Sequence, residues 1–352
     1  MPIFIDKIQL PYNTAIAPME GITDAAFRKL LRRLGGCGLS VTEFVNCEAL
    51  TRDVRRIWAK AEVYEDERPA SVQIYGRKVE SLAKAAAMCE ERGAQIIDLN
   101  LGCPAKQVVA GNAGSALMRE PELCSEIFQA VESAISIPFT VKMRLGWDSH
   151  SLNAVDIATR AQDAGAKMVV VHGRTRAEAY RGKARWDMVA PVVEALKIPV
   201  MVNGDILTLQ DARDALKQSK AQGIMVGRGL LRNPWLLRQI SDEAQGREIY
   251  SPCLDERLHF IFEYMELLQD SLLSPTAVLG RVKCFVGYFT RALAYASQMR
   301  QQAYRSRDLE ELRGHLLHYF DALKAEKLDD IFDRHVTEGQ DPNLREGDPR
   351  SF

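Results

Sequence analysis

A cysteine at position 103, held between Gly102 and Pro104 in the run DLNLGCPAK, stands at a turn where packing does not ask for one. A thiol with an ordinary pKa of about 8.5 is mostly protonated at neutral pH and can serve as a general acid. The same side chain is a nucleophile if a base activates it, and His172 is the histidine that ends an apolar run. The residues alone leave both roles open. Cys89 and Cys124 fall within helical patterns and read as small buried hydrophobes.

A second candidate is FTVKMRLG, where alternation turns Lys142 and Arg144 to one face and Val141 and Met143 to the other. Cations inside such a strand are costly unless an anion meets them. They point to the part of a cofactor that becomes negative, or else to an ion pair with a carboxylate such as Glu43. Two further runs end in NGD (Asn203, Gly204, Asp205) and VGR (Gly227, Arg228). Glycine there lets backbone N–H groups approach a phosphate monoester closely, as in flavin mononucleotide.

These residues need a scaffold that brings strand ends together. Eight short apolar runs recur, TAIAPM, GLSVTEF, ASVQIYG, IIDLNLG, FTVKMRLG, MVVVHG, PVMVNGD and GIMVGR, separated by helical patterns that often close on Gly. Continuous apolar strands alternating with helices predict a parallel sheet covered on both faces. Eight such units predict an α/β fold of the TIM barrel type, (β/α)8, rather than a doubly wound sheet, because APMEGITD carries no G-x-G-x-x-G turn. Pro18, Met19, Glu20, Glu43, Gln73, Asn100, Cys103, Lys142, Arg144, His172, Asn203, Asp205 and Arg228 would then share the C-terminal rim.

The barrel is expected over residues 1–245. The polar run Ser241 to Asp255 reads as a linker, residues 246–335 as a small C-terminal helical domain, and 336–352 as a disordered tail. With 46 basic and 47 acidic residues among 352, any polyanion must be met by a local patch, not by a global field. No apolar run approaches the roughly 20 residues of a membrane span, and no signal peptide is evident. Seven scattered cysteines without a C-x-x-C pair argue against a disulfide framework and against a metal site, and for the cytoplasm.

The motifs APMEGITD, TEF, QIYG, IDLNLGCPAK, AGSALM, VKMRLGWD, VHGRTR, VNGDI and MVGRG, in order from about Ala17 to Pro234, together resemble the bacterial tRNA-dihydrouridine synthases. NLGCPA followed by GSAL is the most specific part. The resemblance implies an FMN enzyme that uses NADPH to reduce the C5–C6 double bond of D-loop uridines in tRNA. Carried over by motif, Cys103 would protonate C5. Pro18, Met19, Glu20 and Gln73 would lie at the flavin ring, with Lys142 and His172 also binding the flavin. Asn203, Gly204, Asp205, Gly227 and Arg228 would surround its phosphate, and Asn100 would hold the uracil.

Such a substrate needs basic surface for its backbone. Ser271 to Arg307 contains no acidic residue, which makes Arg281, Lys283 and Arg291 candidate tRNA contacts. Arg144, Arg174 and Arg176 are candidates at the rim. A monomer is expected. The competing expectations are an FMN oxidoreductase of free pyrimidines or dihydroorotate, and an inactive tRNA-binding protein.

Overall fold

The computed structural model describes residues 2–326, so the expected tail at 336–352 and the last residues of the expected helical domain lie outside the described residues. Eight parallel strands form the barrel. They are β1 (Thr14–Ile16), β2 (Ser40–Val41), β3 (Ala70–Tyr75), β4 (Ile96–Leu101), β5 (Phe139–Arg144), β6 (Val169–His172), β7 (Val200–Asn203) and β8 (Gly223–Val226). Pairing runs in order from β2 through β8 and on to β1, and a single parallel bridge between Ala15 and Leu39 closes the cylinder. β2 is shorter than the run GLSVTEF predicts. The reason is local: Thr42 Oγ1 takes the Gln73 backbone N–H that a ladder carbonyl would accept, and pairing resumes only at Val45–Asn46.

Side-chain alternation sorts each strand into an outer apolar face and an inner face. Ile97, Leu99, Val141 and Met143 join the large core under the helices. Inward, the register sets Gln73 beside Asp98 and Asp98 beside Thr140, and one layer higher Asn100 beside Lys142. Polar residues thus crowd the upper half of the barrel. The lower half is apolar: Ile3, Ile5 and Leu10 pack with Val41, Ile96, Val170, Met201 and Met225. Ile3 to Leu10 belong to a hairpin, Phe4–Ile5 with Ile8–Gln9, that the sequence pattern does not announce. It plugs the N-terminal end and leaves the C-terminal end for chemistry.

The irregular connection after the barrel is shorter than expected. Helix Leu236–Ala244 runs into the predicted linker and the next helix starts at Leu254. Asp242 explains this, because its buried carboxylate accepts from Arg247 and from the Tyr250 N–H and so pins the turn. Among the described residues four α-helices follow, Leu254–Gln269, Pro275–Phe289, Ala296–Arg305 and Leu309–Ala325. The periodic stretch 280–305 is two helices, not one, divided where Tyr295 takes a left-handed φ of 54°. These helices share their core with the barrel. Phe27, on helix Ala25–Leu34, meets the rings of Tyr264 and Phe285 at 5.7 and 5.6 Å. No helix of the described residues is long and apolar enough to cross a membrane.

Candidate active site

A cavity of about 620 Å³ opens at the C-terminal ends of the strands. Its lining includes Pro18, Met19, Glu20, Gln73, Asn100, Cys103, Lys142, Arg144, His172, Asn203, Gly204, Asp205, Gly227 and Arg228, residues contributed by seven of the eight strands and their following loops. Side chains spread over more than 200 positions therefore converge on one space.

Cys103 sits at its edge, nearly buried, against Val108, Ala113, Phe44 and Tyr75. The loop is tied from both sides. The N–H groups of Gly102 and Cys103 donate to Asn100 Oδ1 at 3.0 and 2.9 Å, and the Cys103 carbonyl accepts from the Ser115 hydroxyl at 2.7 Å. Burial pushes the thiol pKa up, opposed in part by the Ala105 N–H and by Arg144. The thiol thus stays protonated at neutral pH, the state an acid needs. His172 is buried and held well below its ordinary pKa, by desolvation first and then by Arg144, Lys142, Arg174 and Arg228. It is neutral there.

Beneath the thiol loop runs a chain of amides. Asn100 Nδ2 donates to Gln73 Oε1 at 2.9 Å, and Gln73 Nε2 donates to Asp98 Oδ2 at 2.6 Å. The other Asp98 oxygen accepts from the Thr140 hydroxyl. Burial raises the Asp98 pKa, against the two hydrogen bonds and Lys142.

The cations of β5 have no carboxylate partner among the described residues. Lys142 Nζ donates to Asn203 Oδ1 at 3.1 Å, and Arg144 donates to the carbonyls of Gly102, Thr175 and Ala179. An ion pair of either cation with Glu43 does not form, because Glu43 faces Lys60 and Arg281 and accepts from the Gly21 N–H. Burial, then Arg144, pushes Lys142 down to about 8. A half-buried lysine and a buried arginine that face the cavity without an ion pair to a carboxylate are a seat for an anion. Gly204, at φ +113°, allows a close turn beside His172, since an added Cβ would come within 2.4 Å of that ring. Arg228 completes the patch. Asp205 does not oppose an anion, because Arg174, Arg228 and the Ala184 N–H hold its carboxylate. The donor set fits a flavin carrying a phosphate.

The expected RNA contacts are placed less uniformly. Arg174 is 1% exposed, so it is a pin for Asp205 and not a surface residue. Arg281 turns inward to Asp24 and Glu43 at the seam between barrel and helices, which removes it from the basic surface. Lys283 donates to the carbonyls of Tyr304 and Ser306. Arg176 lies over the Trp147 ring at 4.4 Å with Arg119 over the same ring at 4.1 Å, and Arg291 is exposed over Tyr288 at 4.5 Å. Tyr180 and Phe44 line the cavity although the sequence pattern does not single them out. Tyr180 lies between Arg144 and Arg228, 5.6 and 4.7 Å from ring centre to guanidinium. Its signal is an aromatic inside the arginine-rich loop HGRTRAEAYRGK. Among the described residues no cluster of three His, Cys, Asp or Glu could hold a metal ion.

A family model described as dihydrouridine synthase matches residues 15–329. The chain is 46% identical over 270 residues to the "Probable tRNA-dihydrouridine synthase" of Rickettsia prowazekii (strain Madrid E), covering 76% of this chain and 82% of that one. It is 40% identical over 265 residues to "tRNA-dihydrouridine synthase B" of Pseudomonas putida, covering 75% and 78%. Among solved structures, histamine dehydrogenase from Rhizobium sp. 4-9 superposes with a TM-score of 0.54 at 12% identity, over 76% of this chain and 50% of that one. A 2-naphthoyl-CoA reductase gives a TM-score of 0.51 at 12% identity, over 70% and 52%. The chain spans about half the length of each solved protein, and the likeness to both is one of fold.

Proposed function

The chain belongs to the dihydrouridine synthase family and is a flavin-dependent oxidoreductase that reduces tRNA uridines to dihydrouridine, and we propose that its flavin is FMN, that NADPH is the electron donor, and that Cys103 is the acid of the reaction. FMN, when bound, supplies to uracil C6 the hydride that NADPH provides. The protein does the rest. Pro18, Met19 and Gln73 would bear on the flavin ring, Lys142 and His172 would face it, and Gly204, Gly227 and Arg228 would take the phosphate with Asn203 and Asp205 in support. As hydride adds at C6, electron density moves to C5 and the C4 carbonyl oxygen. Cys103 gives its proton to C5, and the thiolate regains one from solvent. Asn100 holds the uracil.

The observation that carries this reading is the buried thiol at the rim of a cavity whose two β5 cations have no ion pair to a carboxylate among the described residues. A base must leave the folded tRNA to reach it, at a cost of about a few kcal/mol. We assign tRNA positioning to the helical region after residue 245 and to Arg176 and Arg291, and take the enzyme to be a cytoplasmic monomer acting on the D-loop. The test is Cys103→Ala. Flavin binding and NADPH oxidation are expected to persist, while dihydrouridine formation falls by about 10²–10⁴-fold. Unchanged dihydrouridine formation in that variant would refute the acid role.

A further inference from the structure

Asp98 is 2% exposed, lies one layer below the cavity, and takes no part in the proton and hydride transfers. Its hydrogen-bond partners nevertheless lead to the residues proposed to hold flavin and uracil. Both of its oxygens accept, one from the Thr140 hydroxyl and one from Gln73 Nε2. Because Gln73 turns its nitrogen to Asp98, its oxygen is left for Asn100 Nδ2. Asn100 must then turn its own oxygen to the N–H groups of Gly102 and Cys103. Reversing the chain would set the Gln73 oxygen against a carboxylate and the Asn100 nitrogen against two backbone donors. The polarity of the row is fixed at both ends, by the Asp98 carboxylate and by the two backbone N–H groups.

That polarity has a chemical result. Each amide nitrogen carries two N–H bonds, and one of each is used in the row. Both lone pairs of Asn100 Oδ1 are taken by the Gly102 and Cys103 N–H groups, so Asn100 has only a donor left to offer. We infer that Asp98 is a positioning residue that, through Gln73 and together with the backbone N–H groups of Gly102 and Cys103, holds Asn100 as a hydrogen-bond donor, so that the site selects a pyrimidine with a carbonyl beside the carbon Cys103 protonates. The inference rests on the functional reading above. Asn100 Oδ1 is held on the N–H of Cys103 itself, so a ring whose C5 meets the thiol would present the edge beside C5 to the Asn100 amide. In uracil the neighbour of C5 on that side is the C4 carbonyl. In cytosine it is an amino group, and a donor would face a donor. The same N–H bears on the oxygen that gains charge as hydride arrives at C6, an interaction strongest in the transition state.

The test uses full-length holoprotein, reduced anaerobically with NADPH and mixed with an unmodified tRNA transcript while flavin reoxidation is followed. In Asp98→Ala the flavin spectrum is retained and the limiting reoxidation rate falls by about 10–100-fold, whereas the half-saturating tRNA concentration changes by less than about threefold. Asp98→Asn restores most of the rate, because Thr140 can accept as well as donate and the introduced amide can turn its oxygen to Gln73. An unaltered rate in Asp98→Ala overturns the inference. So does failure of Asp98→Asn to rescue, which would make Asp98 a counter-ion for Lys142 instead. If Asp98→Ala loses its flavin, Thr140→Val removes only one bond from Asp98 and carries the test: a smaller fall in the limiting rate supports the inference, and an unaltered rate overturns it. Wild-type protein that tRNA does not reoxidise would remove the functional reading and this inference together.

Discussion

The barrel mouth and the terminal helices are both rich in cations, yet they use them in opposite ways. At the mouth, Lys142 is half-buried and Arg144 buried, and their partners are an amide and three carbonyls. In the helices, Arg281 meets Asp24 at 2.5 Å with Glu43 behind it, Arg313 lies 3.9 Å from Glu266, and Lys324 lies 2.5 Å from Asp255. A cation without a carboxylate, held out of water, implies a ligand; a cation with one implies a joint. The number of basic residues in a stretch says little until their partners are known.

Three substitutions sharpen that contrast. The largest effect is expected at Lys142, where no protein carboxylate competes with the cofactor. Lys142→Met should weaken FMN binding by about 10–100-fold, measured by titration of the apoprotein. A pH signature accompanies it. In the free pocket Lys142 titrates near 8, and an arriving anion raises that value, so FMN binding should take up protons just above pH 8 and weaken as pH rises through it. Calorimetry in two buffers of different ionisation enthalpy would detect the uptake, and Lys142→Met should abolish it.

Arg281→Leu comes next and should act on stability. Removing one member of a fully buried pair typically costs about 3–5 kcal/mol; here Arg281 is 18% and Asp24 12% exposed, so about 1–3 kcal/mol in urea unfolding is expected. The salt dependence of tRNA binding should not move. Arg291→Glu is the smallest and the reverse: stability within about 0.5 kcal/mol, and a salt slope for tRNA lower by about one. A flattened slope in Arg281→Leu together with an unaffected one in Arg291→Glu would invert the comparison.

What is legible in the sequence follows from the distance over which each feature is determined. Strand ends announce themselves locally, through alternation and through polar residues that no core would take, so the residue pattern by itself places Gln73, Asn100, Lys142 and Asn203 on one rim. Arg281 cannot be read this way, because Asp24 and Glu43 are more than 230 positions away and only the packing of Phe27 among Phe260, Tyr264 and Phe285 brings them together. Arg174 misleads for the same reason: its carboxylate, Asp205, reads in the sequence as a cofactor contact and not as the partner of a buried arginine. The plug hairpin at Phe4–Ile5 and Ile8–Gln9 is too short to show a period. Asp98 is hidden within a strand that looks merely apolar, and its part emerges only when the amides of Gln73 and Asn100 are followed hydrogen bond by hydrogen bond.

The most direct measurement on the central claim is anaerobic. Wild-type protein carrying FMN is reduced with NADPH, and flavin absorbance is followed after addition of either unmodified tRNA or free uridine. Rapid reoxidation by tRNA, with none by uridine at the same concentration, is the predicted result: a flavin site at the barrel mouth that delivers electrons to a uracil presented by a folded RNA. Reoxidation by neither, or equal reoxidation by free uridine, would contradict it.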